Sequence, residues 1–244
     1  MLYYQGEVLK KDDEKAVEWF TRAAEQGDVH AEYMLGECNR FGCGVKKDLI
    51  KAAQWYTRAA EKGLARAQYV LAGCFQQGLG VLEDPARAFL LYRAAAEQGY
   101  AAAQYELGRC YAIGYGVKKD PELSKEHWQA AAQQGYLLAQ YQLGNLYASG
   151  EELPQNEELA VQYYELAAQH GQKDAQYTLA VRLEQGKGVP QDIPRALSFY
   201  ELAAQQQHAA AQYRLGVIYL NGENGKADAT RGVELVTEAA TQGN

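Results

Sequence analysis

The chain of 244 residues is built on a repeat of 36 residues, and this feature constrains its fold more than any other. A motif close to Ala-Gln-Tyr-x-Leu-Gly recurs without insertion or deletion, with Glu32 in place of the first glutamine. The motif begins at Ala31, Ala67, Ala103, Ala139, Ala175 and Ala211. Self-similarity of this kind indicates supersecondary units that bury their apolar faces only by stacking on one another.

Two further markers keep the same interval. The first is a glycine, replaced once by glutamine, at Gly27, Gly63, Gly99, Gly135, Gly171, Gln207 and Gly243. The second is an aspartate or asparagine, at Asp12, Asp48, Asp84, Asp120, Asn156, Asp192 and Asp228. We therefore predict a single repeat domain over 1–244, with a partial leading unit and six complete units: 1–27, then 28–63, 64–99, 100–135, 136–171, 172–207 and 208–243.

Each unit predicts two helices. The first spans about residues 29–41 in its first complete copy, and the second begins at the recurrent aspartate or asparagine, which can accept a hydrogen bond from a first-turn N–H. Apolar and small residues at helical spacing predict a buried stripe on the second helix: Ala16, Trp19, Phe20, Ala23 and Ala24.

The recurrent glycines in the turns predict residues in the left-handed backbone conformation at the ends of helices. Gly27 and its equivalents suit such a position, so Gln207 predicts either a differently shaped turn or strain of about 1 kcal/mol. A second turn reads Gly-x-Gly-Val in most units, and it deviates at 150–154 and 222–225. We expect those two loops to keep their length and to change shape.

Together these motifs resemble the Sel1-like repeat, a relative of the tetratricopeptide repeat with a slightly longer unit, over essentially the whole chain. The resemblance implies an all-α fold, a right-handed α-solenoid of stacked antiparallel helix pairs with a concave groove. It also implies a role as an adaptor that holds other proteins, and a bacterial source.

Charge and hydropathy exclude several classes of partner. The formal net charge of −7 repels phosphate backbones, so nucleic acid is a poor partner. No run of about 18 apolar residues predicts a membrane span. The unpaired cysteines favour a reducing, cytoplasmic compartment, although a periplasmic or secreted location stays open if an N-terminal signal was removed.

The residue types that carry chemistry form no recognisable centre. Cys38, Cys74 and Cys110 occupy one repeat position and are expected to be small buried residues, too far apart for disulfides. The histidines lack the spacing of zinc ligands, and the carboxylates are expected at solvent positions. We therefore predict no catalytic residue, no metal site and no cofactor.

The residues that differ between units indicate where a partner binds, because the recurrent ones are needed for stacking. On the first helices they follow a spacing of i, i+4, i+7 and i+11, which is one face, here named the variable face. It comprises His30, Met34, Glu37, Phe41, Arg66, Val70, Gln77, Glu106, Arg109, Ile113, Leu138, Gln142, Asn145, Asp174, Thr178, Gln185, Arg214, Val217 and Asn221. In the resembling family this helix lines the concave groove.

The sequence thus predicts a non-enzymatic scaffold or adaptor that binds a protein or peptide on the variable face, since both charge signs occur there among apolar and amide side chains. Two alternatives follow from the resemblance. One is an immunity-type protein that neutralises a secreted toxin such as a lipase; the other, more remote, is a hydrolase. The oligomeric state is left open.

Overall fold

The computed structural model describes residues 12–151, 154–225 and 227–242. These ranges contain α-helices and one short 3-10 helix, and no strand, which confirms the predicted all-α fold. The 3-10 helix spans Glu223–Gly225. The α-helices are α1 Asp13–Glu25, α2 Val29–Phe41, α3 Leu49–Glu61, α4 Ala65–Gln77, α5 Pro85–Glu97, α6 Ala101–Ile113, α7 Pro121–Gln133, α8 Leu137–Ser149, α9 Glu157–Gln169, α10 Lys173–Gln185, α11 Ile193–Gln205, α12 Ala209–Asn221 and α13 Ala229–Thr241.

The contacts divide the chain into two compact units, unit 1 over Met1–His127 and unit 2 over Trp128–Asn244. In unit 1, each helix from α1 to α5 packs on the helix that follows it, and in unit 2 the same holds from α8 to α12. Even-numbered helices are the first helices of the repeats, and odd-numbered helices are the second ones. Each unit is therefore a stack of antiparallel helix pairs.

The second helices begin at the predicted caps. Asp12 Oδ1 accepts a hydrogen bond from the Lys15 N–H at 3.0 Å, and Asp120 Oδ1 accepts one from Leu123 at 3.1 Å. The same bond recurs at every described copy of this position, which confirms the prediction. Each carboxylate or amide satisfies a backbone donor that the helix itself cannot.

The turn before α12 keeps the shape of the others despite its glutamine. Gln207 has a φ of 59°, and it is the one non-glycine residue with positive φ in the described ranges. Its counterpart before α6, Gly99, has a φ of 80°. The strained alternative predicted for Gln207 is therefore the one observed. Of the two deviant loops, 222–225 forms the 3-10 helix, while residues 152 and 153 lie outside the described residues.

The core consists largely of alanines, leucines and aromatic rings that meet across helices. Tyr56 of α3 is fully buried, and a Cβ added to Gly36 of α2 would lie 2.4 Å from the Tyr56 ring. Glycine in the repeat motif therefore admits the ring of the following helix. The predicted stripe on α1 is correct at Ala16, Phe20 and Ala24 but wrong at Trp19, whose side chain is 54% exposed and lies under the Arg22 guanidinium.

Polar pairs in which one partner is buried also link successive repeats. The Gln206 amide donates to Gln176 at 2.8 Å, and Gln98 donates to Gln68 at the same distance. In the first copy the pair is ionic, since the fully buried carboxylate of Glu32 lies 2.9 Å from Lys62 Nζ and 3.0 Å from the Arg58 guanidinium. The expectation that carboxylates occupy only solvent positions is wrong at Glu32, because a buried carboxylate is tolerated where cations pair with it.

All four cysteines are free, and Cys38, Cys74 and Cys110 are buried in the stack as predicted. Burial raises the pKa of Cys38 to about 11 and that of Cys110 to about 12. Thiols with such pKa values carry almost no thiolate at neutral pH, so these cysteines act as small apolar residues.

Candidate functional site

Every residue predicted for the variable face is at least partly exposed. In unit 1 these residues lie on α2, α4 and α6, and in unit 2 they lie on α8, α10 and α12. Accessible side chains that stacking does not require are the starting point for a binding surface. The role of the variable face in binding stays a prediction, and the geometry of each unit shows what the face offers.

Buried rings hold two charged residues of the variable face, Glu37 of α2 and Arg66 of α4. The hydroxyl of the buried Tyr56 donates to Glu37 Oε1 at 2.5 Å, and the Arg66 guanidinium lies 5.0 Å from the Tyr33 ring centroid. Burial, reinforced by the Glu37 charge, raises the pKa of Tyr33 to about 12. The rings therefore stay protonated and fix the position of the charges around them.

A polar cavity of about 210 Å³ opens beside these residues in unit 1. Its lining residues include Arg40 of α2, Val70 and Gln77 of α4, and Glu106 and Arg109 of α6. Its volume is below the roughly 300–1,000 Å³ typical of small-molecule sites. A cavity of this size and polarity suits a side chain of a bound protein better than a separate ligand.

Glu106 is the poorly compensated charge in this cavity. Its side chain is only 15% exposed, and among the described residues it forms an ion pair with Arg109 alone, at 3.2 Å. Burial raises the pKa of Glu106, and the Arg109 charge offsets this only in part. Glu106 therefore gains from a further cation or hydrogen-bond donor, which a partner could supply.

Apolar side chains flank the cavity. Phe41 follows Arg40 and is 61% exposed, and Ile113 lies one helical turn beyond Arg109 and is 66% exposed. The Arg40 guanidinium covers one side of the Phe41 ring at 5.2 Å. Met34, another apolar residue of the variable face, is half-buried and packs against the core. Phe41 and Ile113 are thus the apolar side chains available to a partner here.

In unit 2, the charges of the variable face are satisfied within the chain. Arg214 of α12 donates to Glu184 of α10, with Nε–Oε1 at 3.1 Å, and to Glu223 Oε2 at 2.9 Å. The Tyr200 hydroxyl donates to Glu184 Oε2 at 2.6 Å. Burial raises the pKa of Glu184, but the hydrogen bonds from Arg214 and Tyr200 outweigh it, so the pKa is lowered. Arg214 therefore has a structural role that its place on the face does not reveal.

Asp174 is likewise engaged at a helix start. Its carboxylate accepts from the Gln172 amide at 2.8 Å and lies 3.4 Å from His208 Nε2. His208 caps α12, since its Nδ1 accepts from the Ala211 N–H at 3.2 Å, and its ring stacks on Tyr177. Unit 1 therefore has more uncommitted charge on its variable face than unit 2.

Three residues of the candidate site that share one repeat position were not predicted from the sequence. Arg40 and Gln76 line the polar cavity, and Glu184 holds Arg214. They are separated by whole repeats of 36 residues. Each directly precedes a residue of the variable face: Phe41, Gln77 and Gln185. This position varies between arginine, glutamine, alanine, glutamate and leucine in the six complete repeats, and that variation was the available signal. It fell outside the face because the strict helical spacing skips it.

Metal and membrane chemistry find no support in the described ranges. No group of three His, Cys, Asp or Glu side chains there could hold a metal ion. None of the helices described has the length and apolar composition that crossing a bilayer requires.

One family profile, the Sel1 repeat, matches the chain seven times. The matched residues are 1–28, 29–64, 65–100, 101–136, 137–172, 173–208 and 209–244. Comparison with curated proteins gives no significant match.

Solved structures extend this similarity to three dimensions. A protective antigen of uropathogenic Escherichia coli with an SLR fold is 37% identical with a TM-score of 0.92, over 100% of this chain and 52% of its own. A Sel1 repeat protein from Oxalobacter formigenes is 30% identical with a TM-score of 0.86, over 98% of this chain and 93% of its own. An immunity protein from Pseudomonas aeruginosa is 22% identical with a TM-score of 0.53, over 87% of this chain and 81% of its own. The predicted solenoid class is confirmed, and this chain spans about half the length of the antigen.

Proposed function

Because this chain belongs to the Sel1 repeat family, we propose that it is a non-enzymatic scaffold that binds a protein or peptide on the variable face. Such repeats typically serve protein–protein interaction, and their fold is typically a non-catalytic scaffold. We assign the binding to the first helices, and above all to those of unit 1.

The polar cavity of unit 1 with its apolar neighbours carries this proposal. Glu106 and Arg109 present opposite charges at 3.2 Å, while Phe41 and Ile113 expose large apolar side chains that the stack does not bury. Arginine and aromatic residues near a partly desolvated pocket are the usual anchors of protein interfaces. A surface with both charge signs and apolar anchors suits a protein partner better than an anion.

Charge reversal tests the proposal. We expect Glu106→Lys and Arg109→Glu each to weaken a partner captured from bacterial lysate and then purified, by about tenfold or more, because each places like charges together. Isothermal titration with that partner gives the affinities. The matched control reverses Arg93 and Glu97 of α5, which lie 3.8 Å apart and off the variable face. Unchanged affinity in variants across the whole variable face would reject the assignment.

The immunity-type function is the second candidate that the resemblance leaves open. The Pseudomonas immunity protein supports only the fold at its 22% identity, so the partner itself has to discriminate. An adaptor is expected to capture several client proteins, whereas an immunity protein is expected to capture one secreted enzyme and to abolish its activity. Adding the chain to the purified partner and assaying that enzyme separates the two.

The hydrolase alternative has its own test. A purified chain that hydrolyses common ester or amide substrates, with turnover abolished by a single substitution, would overturn the non-enzymatic part of the proposal. We expect no turnover above that of a variant with Glu106 and Arg109 both changed to alanine.

A further inference from the structure

A second groove lies in unit 1, on the side of the second helices, and shares no residue with the variable face. It has a volume of about 820 Å³. Its apolar lining comes from α4, α5 and the loop before α5: Leu71, Phe75, Val81, Leu82, Leu90 and Leu91. The volume lies in the range of sites that hold a ligand or the anchoring side chains of a partner.

Comparison with the other repeats shows that stacking does not require this apolar groove. Leu82 is 89% exposed, and its copies in the other units are lysine or proline, such as Lys46 and Pro190. Leu90 is 48% exposed, and its copies are glutamate, glutamine or serine. The same fold thus accepts polar residues at both positions. Two exposed leucines without a folding role mark a surface that meets another apolar group.

The groove is open because one ring is absent. At the position of Leu91, five of the six other units carry an aromatic residue: Trp19, Trp55, His127, Tyr163 and Phe199. In two of those units this ring stacks on the copy of Phe75, with centroids 5.6 Å apart for Tyr111 and His127 and 5.8 Å for Tyr147 and Tyr163. Leu91 leaves Phe75 without that second ring, although the Arg87 guanidinium lies 5.6 Å from the Phe75 ring centroid. A partner's ring can occupy the space that the missing ring leaves.

The rim of the groove is acidic. Glu61, Glu83 and Asp84 contribute three carboxylates, and Arg87 contributes the one cation among the residues that line it. Asp84 pairs with Arg87 at 3.3 Å, whereas neither Glu61 nor Glu83 forms an ion pair with any described residue. Two uncompensated carboxylates beside an apolar floor complement a basic segment with an apolar anchor.

We propose that this groove docks a segment of another protein that carries an aromatic or leucine side chain next to lysine or arginine. The apolar side chain takes the space that the missing ring leaves over Phe75, between Leu82 and Leu90. The basic residues pair with Glu61 and Glu83. A second copy of this chain fits poorly, because the chain is acidic, with a net charge of −7.

A selection from random displayed peptides tests this docking site. Peptides are selected on the full chain and depleted on Leu82→Lys/Leu90→Gln, which introduces residues that other repeats already carry at these positions. We expect the surviving peptides to combine an aromatic or leucine residue with lysine or arginine. In fluorescence anisotropy their affinity should fall about tenfold or more in the double variant, because two buried leucines are lost.

Further variants separate the groove from general loss of structure. Leu91→Tyr restores the ring of the other repeats, so it should abolish peptide binding without lowering the unfolding midpoint. Glu61→Gln/Glu83→Gln should weaken binding severalfold and reduce its salt dependence. Leu202→Gln, at an exposed leucine of unit 2, is the matched control and should bind as wild type. Glu106→Lys should also bind normally, which keeps this result independent of the variable face.

Several outcomes would overturn the proposal. Failure to enrich any peptide, or enrichment of acidic ones, contradicts the expected chemistry. Equal affinity for wild type and Leu82→Lys/Leu90→Gln contradicts the location. Self-association in sedimentation that Leu82→Lys abolishes would assign the groove to a second copy of this chain instead.

Discussion

Helices α6 and α12 occupy the same place in their repeats, 108 residues apart, yet their charged residues do different work. On α6, the half-buried Glu106 has Arg109 beside it, and burial raises its pKa. On α12, Arg214 joins two carboxylates, and its hydrogen bond helps lower the pKa of Glu184. A charge already paired inside the chain holds the fold together, whereas a poorly paired one is available to a partner.

The largest expected effect on stability comes from removing the arginine of each helix, Arg214 of α12 and Arg109 of α6. Arg214→Ala leaves Glu184 and Glu223 close together without a counterion, and we expect it to reduce the free energy of unfolding by about 2 kcal/mol. Arg109→Ala removes a single ion pair, whose arginine side chain is 39% exposed, and should cost less than about 1 kcal/mol. Urea denaturation of both variants measures the difference. An equal or larger loss for Arg109→Ala would contradict the division of roles.

The pH dependence of stability should have opposite signs for the two carboxylates. The pKa of Glu184 is lowered on folding, so its contribution is complete above pH 4.5 and is lost as the pH falls through the folded pKa. The pKa of Glu106 is raised, so its contribution is complete below pH 4.5 and is lost as the pH rises through the folded pKa.

Replacing each glutamate by the isosteric glutamine removes its titration. Urea denaturation at a series of pH values then gives the contribution of each carboxylate to the free energy of unfolding. Glu106→Gln should stabilise the chain relative to wild type above pH 4.5, and this gain should disappear in acid. Glu184→Gln should destabilise it above pH 4.5, and this loss should shrink in acid. Parallel profiles for the two variants would show that the carboxylates are not differently compensated.

The start of α12 is expected to be sensitive to acid, in contrast to that of α6. His208 caps α12 through Nδ1, whereas Tyr100 before α6 makes no side-chain cap. Burial lowers the pKa of His208, with Asp174 opposing, so stability should be lost as the pH falls from 6.5 through the folded pKa. His208→Ala should cost about 1 kcal/mol at pH 8, and His208→Asn should keep the cap and remove the pH dependence in this range. Thermal unfolding at pH 8 and pH 5 gives both quantities.

The smallest effect is expected at the turns before these two helices. Gln207→Gly relieves the positive φ of 59° and should stabilise the chain by about 0.5–1 kcal/mol. The reciprocal Gly99→Gln should destabilise it by a similar amount, because a Cβ at Gly99 meets open space and only backbone strain changes. Urea midpoints measured for the pair check this, and stabilisation by Gly99→Gln would contradict the argument.

Predictions from the repeat were correct for residues whose role depends on the backbone within a few positions of them in the sequence. The caps at Asp12 and Asp120 and the strained turn at Gln207 follow from local rules of hydrogen bonding and φ, which the sequence displays directly. The prediction of a buried Trp19 was wrong, because helical spacing gives the direction of a side chain without showing what covers it. The burial of Glu32 was missed for a similar reason, since its cations come from the following helix.

By itself, the sequence determined that each repeat forms two helices, where these helices start and turn, and the family, because each depends on contacts within one repeat that is copied along the chain. Tertiary structure decided which charges are satisfied. Residues on other helices decide the roles of Arg40, Gln76 and Glu184. The groove in unit 1 is open because Leu91 is smaller than the aromatic ring that most other repeats carry at its position. Such roles depend on distances between helices, which spacing along the chain does not specify.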